Sequence, residues 1–247
     1  MIDLKNILLQ ADHYLQELPP AAPILPLPVG AELASWIDHT ALKAETTVDQ
    51  VMKLCREANE HGFATVCINP AYVPLAAGVL RDGIGVCTVI SFPLGAHLPS
   101  FKAVETRMAI EAGATEIDMV ANIGALKGNA LPLVYEDIRS VAEVCHECDV
   151  HLKVILEMCY LTRREKILGC LLAKAAGADF VKTSSGFGPS GATVEDVDLM
   201  RCVVGAEMGV KAAGGIRTLA DAYAMIRAGA NRLGASASIS ILQEALT

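Results

Sequence analysis

One pattern limits what this chain can fold into more than any other: a helical segment, a glycine, and at once a short apolar strand. It reads Glu111-Ala112-Gly113-Ala114 before Ile117, Ala175-Ala176-Gly177-Ala178 before Phe180, and Arg227-Ala228-Gly229-Ala230 before Leu233. Glu60-His61-Gly62-Phe63 and Glu207-Met208-Gly209-Val210 are variants. A glycine just past a helix supplies the left-handed cap that turns the chain back into a strand. A helix capped this way and followed by a buried strand is half of a βαβ unit. The pattern predicts strands at residues 36–40, 63–68, 85–90, 116–120, 151–156, 180–183, 209–213 and 232–235. Eight strands with helices between them is the number that closes an α/β (β/α)8 TIM barrel, here spanning residues 31–247. A doubly wound open sheet is the alternative.

Composition agrees with that architecture. Hydrophobic residues make up 53% of the chain and charged residues 19%, as suits parallel strands covered on both faces. No apolar run reaches the roughly 18 residues of a membrane span, and residues 1–10 lack the basic-then-apolar pattern of a secretory signal. A soluble, cytoplasmic protein is expected. A formal charge of −8 argues against a nucleic-acid partner, which demands a basic face. A small anionic substrate is compatible, because a local cationic pocket does not depend on net charge.

Residues 1–30 stand apart. Leu4, Ile7, Leu8, Ala11, Tyr14, Leu15 and Leu18 fall at helical spacing, and the proline-rich stretch 19–28 cannot continue a helix and should be extended. An N-terminal amphipathic helix and linker, packed on the barrel or on a neighbouring subunit, is expected ahead of the barrel domain.

Ionisable residues lie inside strands that should be apolar: Asp38, Asp118, Lys153, Lys182 and Lys211. The three lysines are spaced one βα unit apart, which puts them at equivalent places on strands five, six and seven. Each is flanked by apolar residues, so period-2 alternation turns the lysine into the barrel. A lone buried ammonium costs several kcal/mol unless it is paired or neutral. Two ammonium groups on adjacent strands repel, so one is pushed toward the neutral form that attacks carbonyls. The pattern leaves Lys182 and Lys211 interchangeable in that role, with Asp118 placed to move protons.

Glycines and hydroxyls cluster after the last three strands, at Thr183-Ser184-Ser185-Gly186, Gly214-Gly215-Ile216-Arg217 and Gly234-Ala235-Ser236. Loops in this position commonly hold a phosphate through backbone N–H groups. Gly186-Phe187-Gly188-Pro189-Ser190-Gly191 matches a dinucleotide fingerprint, but Pro189 interrupts the turn into a helix, and a substrate-covering loop is the better reading. Of the eight cysteines, Cys145 and Cys148 bracket His146 and Glu147 with the spacing of half a zinc site. No second pair follows, and the six histidines show no ligand spacing, so no metal is expected.

These motifs together resemble the deoxyribose-phosphate aldolases, which are class I aldolases. The resemblance covers about residues 33–240 and rests on Ile37-Asp38-His39-Thr40, Cys67-Ile68-Asn69-Pro70, Phe92-Pro93-Leu94-Gly95, residues 116–124, residues 152–157, Phe180-Val181-Lys182-Thr183-Ser184 and Lys211-Ala212-Ala213-Gly214-Gly215-Ile216-Arg217. It implies reversible, cofactor-free cleavage of 2-deoxy-D-ribose 5-phosphate to acetaldehyde and D-glyceraldehyde 3-phosphate. It assigns the imine to Lys182, the tuning of that lysine to Lys211 and proton transfer to Asp118. Thr183, Gly186, Gly214, Gly215 and Ser236 would bind substrate at the phosphate end, supported by Asp38, Thr40, Cys67 and Lys153. A homodimer or higher homo-oligomer is implied as well.

The chain departs from the family pattern at a few places. Ser91 stands where relatives carry Gly, Ser185 where they carry Thr, and Ala237 where they carry a second Ser; the last removes a hydroxyl from the phosphate end. The final residues are Leu246-Thr247, without the C-terminal tyrosine tail of some relatives. A Schiff-base barrel with other aldehyde substrates and a non-catalytic phosphosugar-binding barrel are the competing readings.

Overall fold

A computed structural model describes residues 2–23 and 26–247. Its eight strands are β1 (Ile37–Ala41), β2 (Thr65–Ile68), β3 (Gly85–Ile90), β4 (Glu116–Val120), β5 (His151–Ile155), β6 (Phe180–Lys182), β7 (Gly209–Ala213) and β8 (Arg232–Ala235). All pair in parallel with their neighbours in sequence, and β8 returns to β1 to close the barrel. The expected strands are all present, within two residues at either end.

The helices are α1 (Leu4–Gln16), α2 (Val48–His61), α3 (Val73–Ala77), α4 (Pro99–Glu111), α5 (Ile123–Lys127), α6 (Leu131–Glu147), α7 (Arg163–Ala175), α8 (Val194–Val204), α9 (Leu219–Arg227) and α10 (Ser238–Leu246). Threonine caps recur at their starts: Thr47, Thr162 and Thr218 each form a reciprocal capping box with the residue three further on. Each such box satisfies two otherwise orphaned N–H donors. Gly62, Gly113, Gly177 and Gly229 leave their helices at positive φ, as the repeat predicts. The variant at Gly209 is different. Helix α8 ends on Gly205, whose φ is +78°, and Gly209 is instead the first residue of β7. A Cβ there would meet the Phe180 ring at 2.1 Å, so this glycine answers to close packing between β6 and β7.

The core is the layer between barrel and helices, where Ile37, Ile117, Leu152, Val154, Val181, Val210 and Leu233 are fully buried. Helix α1 buries Ile7 and Ala11 and packs against α7 of the same chain, where Asp12 meets Arg164 at 2.9 Å. The helical spacing expected from Leu4 to Leu18 thus ends two residues early, at Gln16. Residues 17–23 and 26–29 form no helix or strand, and Ile24 and Leu25 of the proline-rich stretch lie outside the described residues. Among the described residues, no helix is long and apolar enough to cross a membrane.

Candidate active site

The barrel interior holds a layer of charge. Asp118 Oδ2 accepts hydrogen bonds from Lys182 Nζ at 2.6 Å and Lys211 Nζ at 2.7 Å, and its Oδ1 accepts one from Lys153 Nζ at 2.9 Å. Lys211 also contacts Asp38, and Lys153 also meets Glu116 at 2.5 Å and Asp38 at 3.8 Å. Arg232 bridges Asp38 at 2.7 Å and Glu116 at 3.1 Å. Cys87 donates its thiol to Asp118 Oδ1 at 3.1 Å, and Cys67 lies 4.0 Å from Oδ2. Arg232, Glu116 and Cys87 were missed in the sequence. The first two open their strands, where a charge reads as a solvated strand end.

Register separates the three lysines. Lys182 and Lys211 are direct partners across β6 and β7, whereas Lys153 pairs with Phe180 and with Asp118. The places are therefore not equivalent: equal chain spacing counts βα units, but strand stagger sets the level each side chain occupies.

Four cations face three carboxylates in this layer, and they are unequally paired. Lys153 meets three carboxylates, Lys211 and Arg232 two each, and Lys182 only Asp118, which it shares. Burial alone would push the Lys211 ammonium toward neutrality, but Asp118 and Asp38 reverse this and hold it protonated. Burial likewise opposes charge on Lys153, and Asp118 and Glu116 overcome it. Burial would raise Asp118, yet Lys153, Lys182 and Lys211 outweigh it and keep the carboxylate well below its ordinary range. The sequence-level expectation of ammonium repulsion thus omitted the acids that hold two of the lysines charged.

A cavity of about 600 Å³ opens above this layer at the C-terminal end of the strands. Lys182 lines it; Lys153, Lys211, Asp38, Asp118 and Cys67 lie beneath, fully buried. Thr40, Gly186, Gly214, Gly215 and Ser236 also line it, together with Ser185 and Phe187. Thr183 does not. Its hydroxyl donates to Ala213 O at 3.1 Å and accepts from Ala213 N at 3.0 Å, so it is spent on β7. Lys43, Lys53 and Arg217 add positive charge to the rim. Arg217 closes the Gly214-Gly215-Ile216-Arg217 cluster already read as a phosphate loop, whereas Lys43 and Lys53 sit outside the strands in segments that read as solvated surface, and nothing in their local sequence marked them.

Residues 186–191 form no helix, and α8 begins only at Val194. The segment turns back so that Ala192 N donates to Ala213 O and Gly214 O, and the Phe187 ring meets Phe92 edge-on at 5.2 Å. The dinucleotide-like string is therefore a loop across the cavity, as expected.

Metal-ligating side chains converge, among the described residues, at Cys67, Cys87 and Asp118 and at Asp38, Cys87 and Glu116. The same carboxylate oxygens already face lysine and arginine side chains, which a cation would have to displace. At the end of α6, Cys145 is buried, its thiol pushed up to about 12 mainly by burial, while Cys148 is exposed. That pair joins helix to strand.

A family model described as DeoC/LacD family aldolase matches residues 33–244. The chain belongs to that family. The aldolase is 56% identical to the deoxyribose-phosphate aldolase of Thermococcus gammatolerans, with 88% of this chain and 98% of the relative covered. It is 57% identical to that of Halalkalibacterium halodurans, over 85% and 94% of the two chains. Among solved structures, the aldolase superposes on a Coccidioides immitis protein with a TM-score of 0.91 at 42% identity, covering 98% of both chains. It also matches the deoxyribose phosphate aldolase of Aeropyrum pernix, described as having a unique tetrameric structure, with a TM-score of 0.81 at 32% identity and 98% and 97% coverage.

Proposed function

We propose that this aldolase reversibly cleaves 2-deoxy-D-ribose 5-phosphate to acetaldehyde and D-glyceraldehyde 3-phosphate through an imine on Lys182. One observation carries the reading. In a buried layer where cations outnumber carboxylates, Lys182 has the fewest acidic partners and alone faces the cavity. Lys182 meets one carboxylate, against two for Lys211 and three for Lys153. The relatives' printed activity supplies the substrate.

The Lys182 amine adds to the C1 aldehyde carbon, and loss of water leaves the C=N bond. Removal of the proton from the C3 hydroxyl then lets the C2–C3 bond break. Its electron pair moves toward the imine as an enamine, and C3 becomes the aldehyde carbon of D-glyceraldehyde 3-phosphate. Protonation of the enamine at C2 and addition of water release acetaldehyde and restore Lys182. Asp118, which shares one oxygen between Lys182 and Lys211, carries protons directly or through water. Lys211 keeps a fixed positive charge beside the reacting nitrogen. Gly186, Gly214, Gly215 and Ser236 hold the phosphate through backbone N–H groups and a hydroxyl, with Lys43, Lys53 and Arg217 drawing it in.

Small phosphosugars and aldehydes are the partners in this reading, in the cytoplasm, and the enzyme is a homo-oligomer. Leu98, Phe101, Val104 and Met108 form an exposed apolar row on and just before α4, which supports self-association, as does the tetrameric Aeropyrum pernix relative. Sedimentation should give a mass above that of one chain. Incubating the enzyme with 2-deoxyribose 5-phosphate should yield both aldehydes in equal amounts, with or without a chelator. Absence of either product would contradict the proposal.

A further inference from the structure

Glu157 takes no part in the chemistry above, yet it is nearly fully buried beside it. Its backbone has φ +53° and ψ +62°, the left-handed region that favours glycine. The cause lies in the ladder. Leu156 N donates to Lys182 O and Met158 N to Thr183 O, each at 3.0 Å. Two residues on the β5 side thus span one on the β6 side, a bulge whose extra residue is Glu157.

The bulge aims the carboxylate under the β6 loop. Both of its oxygens accept the Ser185 N–H at 3.2 Å, Cys159 Sγ donates to Oε1 at 3.8 Å, and no ion pair engages it among the described residues. A Cβ on Gly188 would stand 2.8 Å from Cys159 Sγ and 3.3 Å from Glu157 Oε1, so the loop packs closely over the carboxylate, and a larger residue there would push these side chains aside. Ser185 in turn accepts the Phe187 N–H at 3.0 Å. Between these two anchored N–H groups lies that of Gly186, which lines the cavity and has no protein acceptor among the described residues.

We propose that Glu157 is a positioning residue for the phosphate end of the substrate. By fixing the Ser185 N–H through a charge-assisted hydrogen bond, it presents the unengaged Gly186 N–H to the cavity. This rests on the phosphosugar reading above.

The test uses E157G, which relieves the left-handed backbone and so should fold, and E157Q, which keeps the size and one acceptor. In E157G, KM for 2-deoxyribose 5-phosphate should rise about tenfold, the loss of one useful hydrogen bond. E157Q should fall between E157G and the unsubstituted enzyme. Turnover of non-phosphorylated 2-deoxyribose and borohydride trapping at Lys182 should stay within about twofold, because Glu157 touches neither reaction. An unchanged KM, or equal losses on both substrates, would overturn the proposal. If the unsubstituted enzyme fails to trap at all, the Lys182 reading falls instead. Hydrogen exchange at residues 185–188 without substrate then still decides the role of Glu157: it should quicken in E157G, and unchanged exchange would overturn the anchor.

Discussion

Lys102 and Lys182 are both buried lysines that lean on an aspartate, and they differ in what surrounds them. Lys102, on α4, donates to Asp137 Oδ2 at 2.7 Å and to Val120 O at 2.8 Å, with both side chains fully enclosed. One cation meets one carboxylate, and neither side chain is exposed to solvent. Lys182 leans on an aspartate that two other lysines also claim, and it faces open space. The two acids register the contrast. Burial raises Asp137 and Lys102 only partly offsets it, whereas three lysines outweigh burial and hold Asp118 far below its ordinary range. Burying a lysine is therefore no mark of catalysis. Under the proposed mechanism, the distinguishing feature is an excess of cations over acids next to a cavity.

The contrast breaks first at the lysines themselves. Lys182→Leu should lower turnover on the order of 10⁴-fold or more, the scale of a lost covalent nucleophile, while leaving the thermal midpoint in place because it removes the surplus charge. Lys102→Leu should do the opposite. It should cost about 3–5 kcal/mol in denaturant titration, because Asp137 is left buried without its cation, and kcat per folded molecule should hold. Stability that survives Lys102→Leu would remove the structural half of the comparison.

The double variant Lys102→Leu with Asp137→Leu sharpens the same point. Replacing a buried pair with apolar side chains is often near neutral, so most of the about 3–5 kcal/mol should return.

Titration separates the two acids by sign. Asp118 has a depressed folded value, so its contribution to stability is present above the ordinary carboxylate range and is lost as pH falls through that depressed value. Asp137 has a raised folded value, so its ionisation costs stability as pH climbs through the ordinary range toward that raised value. Carbon-13 carboxyl shifts should show Asp137 taking up its proton at a higher pH than an exposed aspartate, with Asp118 still ionised when exposed aspartates are protonated. Parallel titration of the two would collapse the distinction.

The smallest effect lies at the phosphate end. Ala237 caps α10 without a side-chain hydrogen bond. Ala237→Ser should lower KM for the phosphorylated substrate about fivefold, near 1 kcal/mol for one hydroxyl. It should leave the non-phosphorylated substrate unaffected, and the ratio of the two KM values checks it.

Much of this was legible in the residues because period and chemistry coincided. Glycine caps and apolar runs marked all eight strands, and a lysine flanked by apolar neighbours, as in Phe180-Val181-Lys182, can only point inward. Lys102 was not legible: Phe101-Lys102-Ala103-Val104-Glu105 reads as a solvated helix, and its burial depends on α6 lying across it. Thr183 read as a cavity hydroxyl because it opens the Thr183-Ser184-Ser185-Gly186 cluster, but pairing with β7 turned it away. Glu157 entered only as the last residue of the 152–157 stretch, just past the expected strand. A bulge exists in the pairing of two strands and leaves no trace in either alone.

Trapping tests the central claim most directly. The enzyme is incubated with acetaldehyde and borohydride, digested, and its lysines surveyed by peptide mass spectrometry. The account requires a reduced two-carbon adduct on Lys182, with Lys102, Lys153 and Lys211 unmodified. An adduct on Lys211, or none at all, would contradict it.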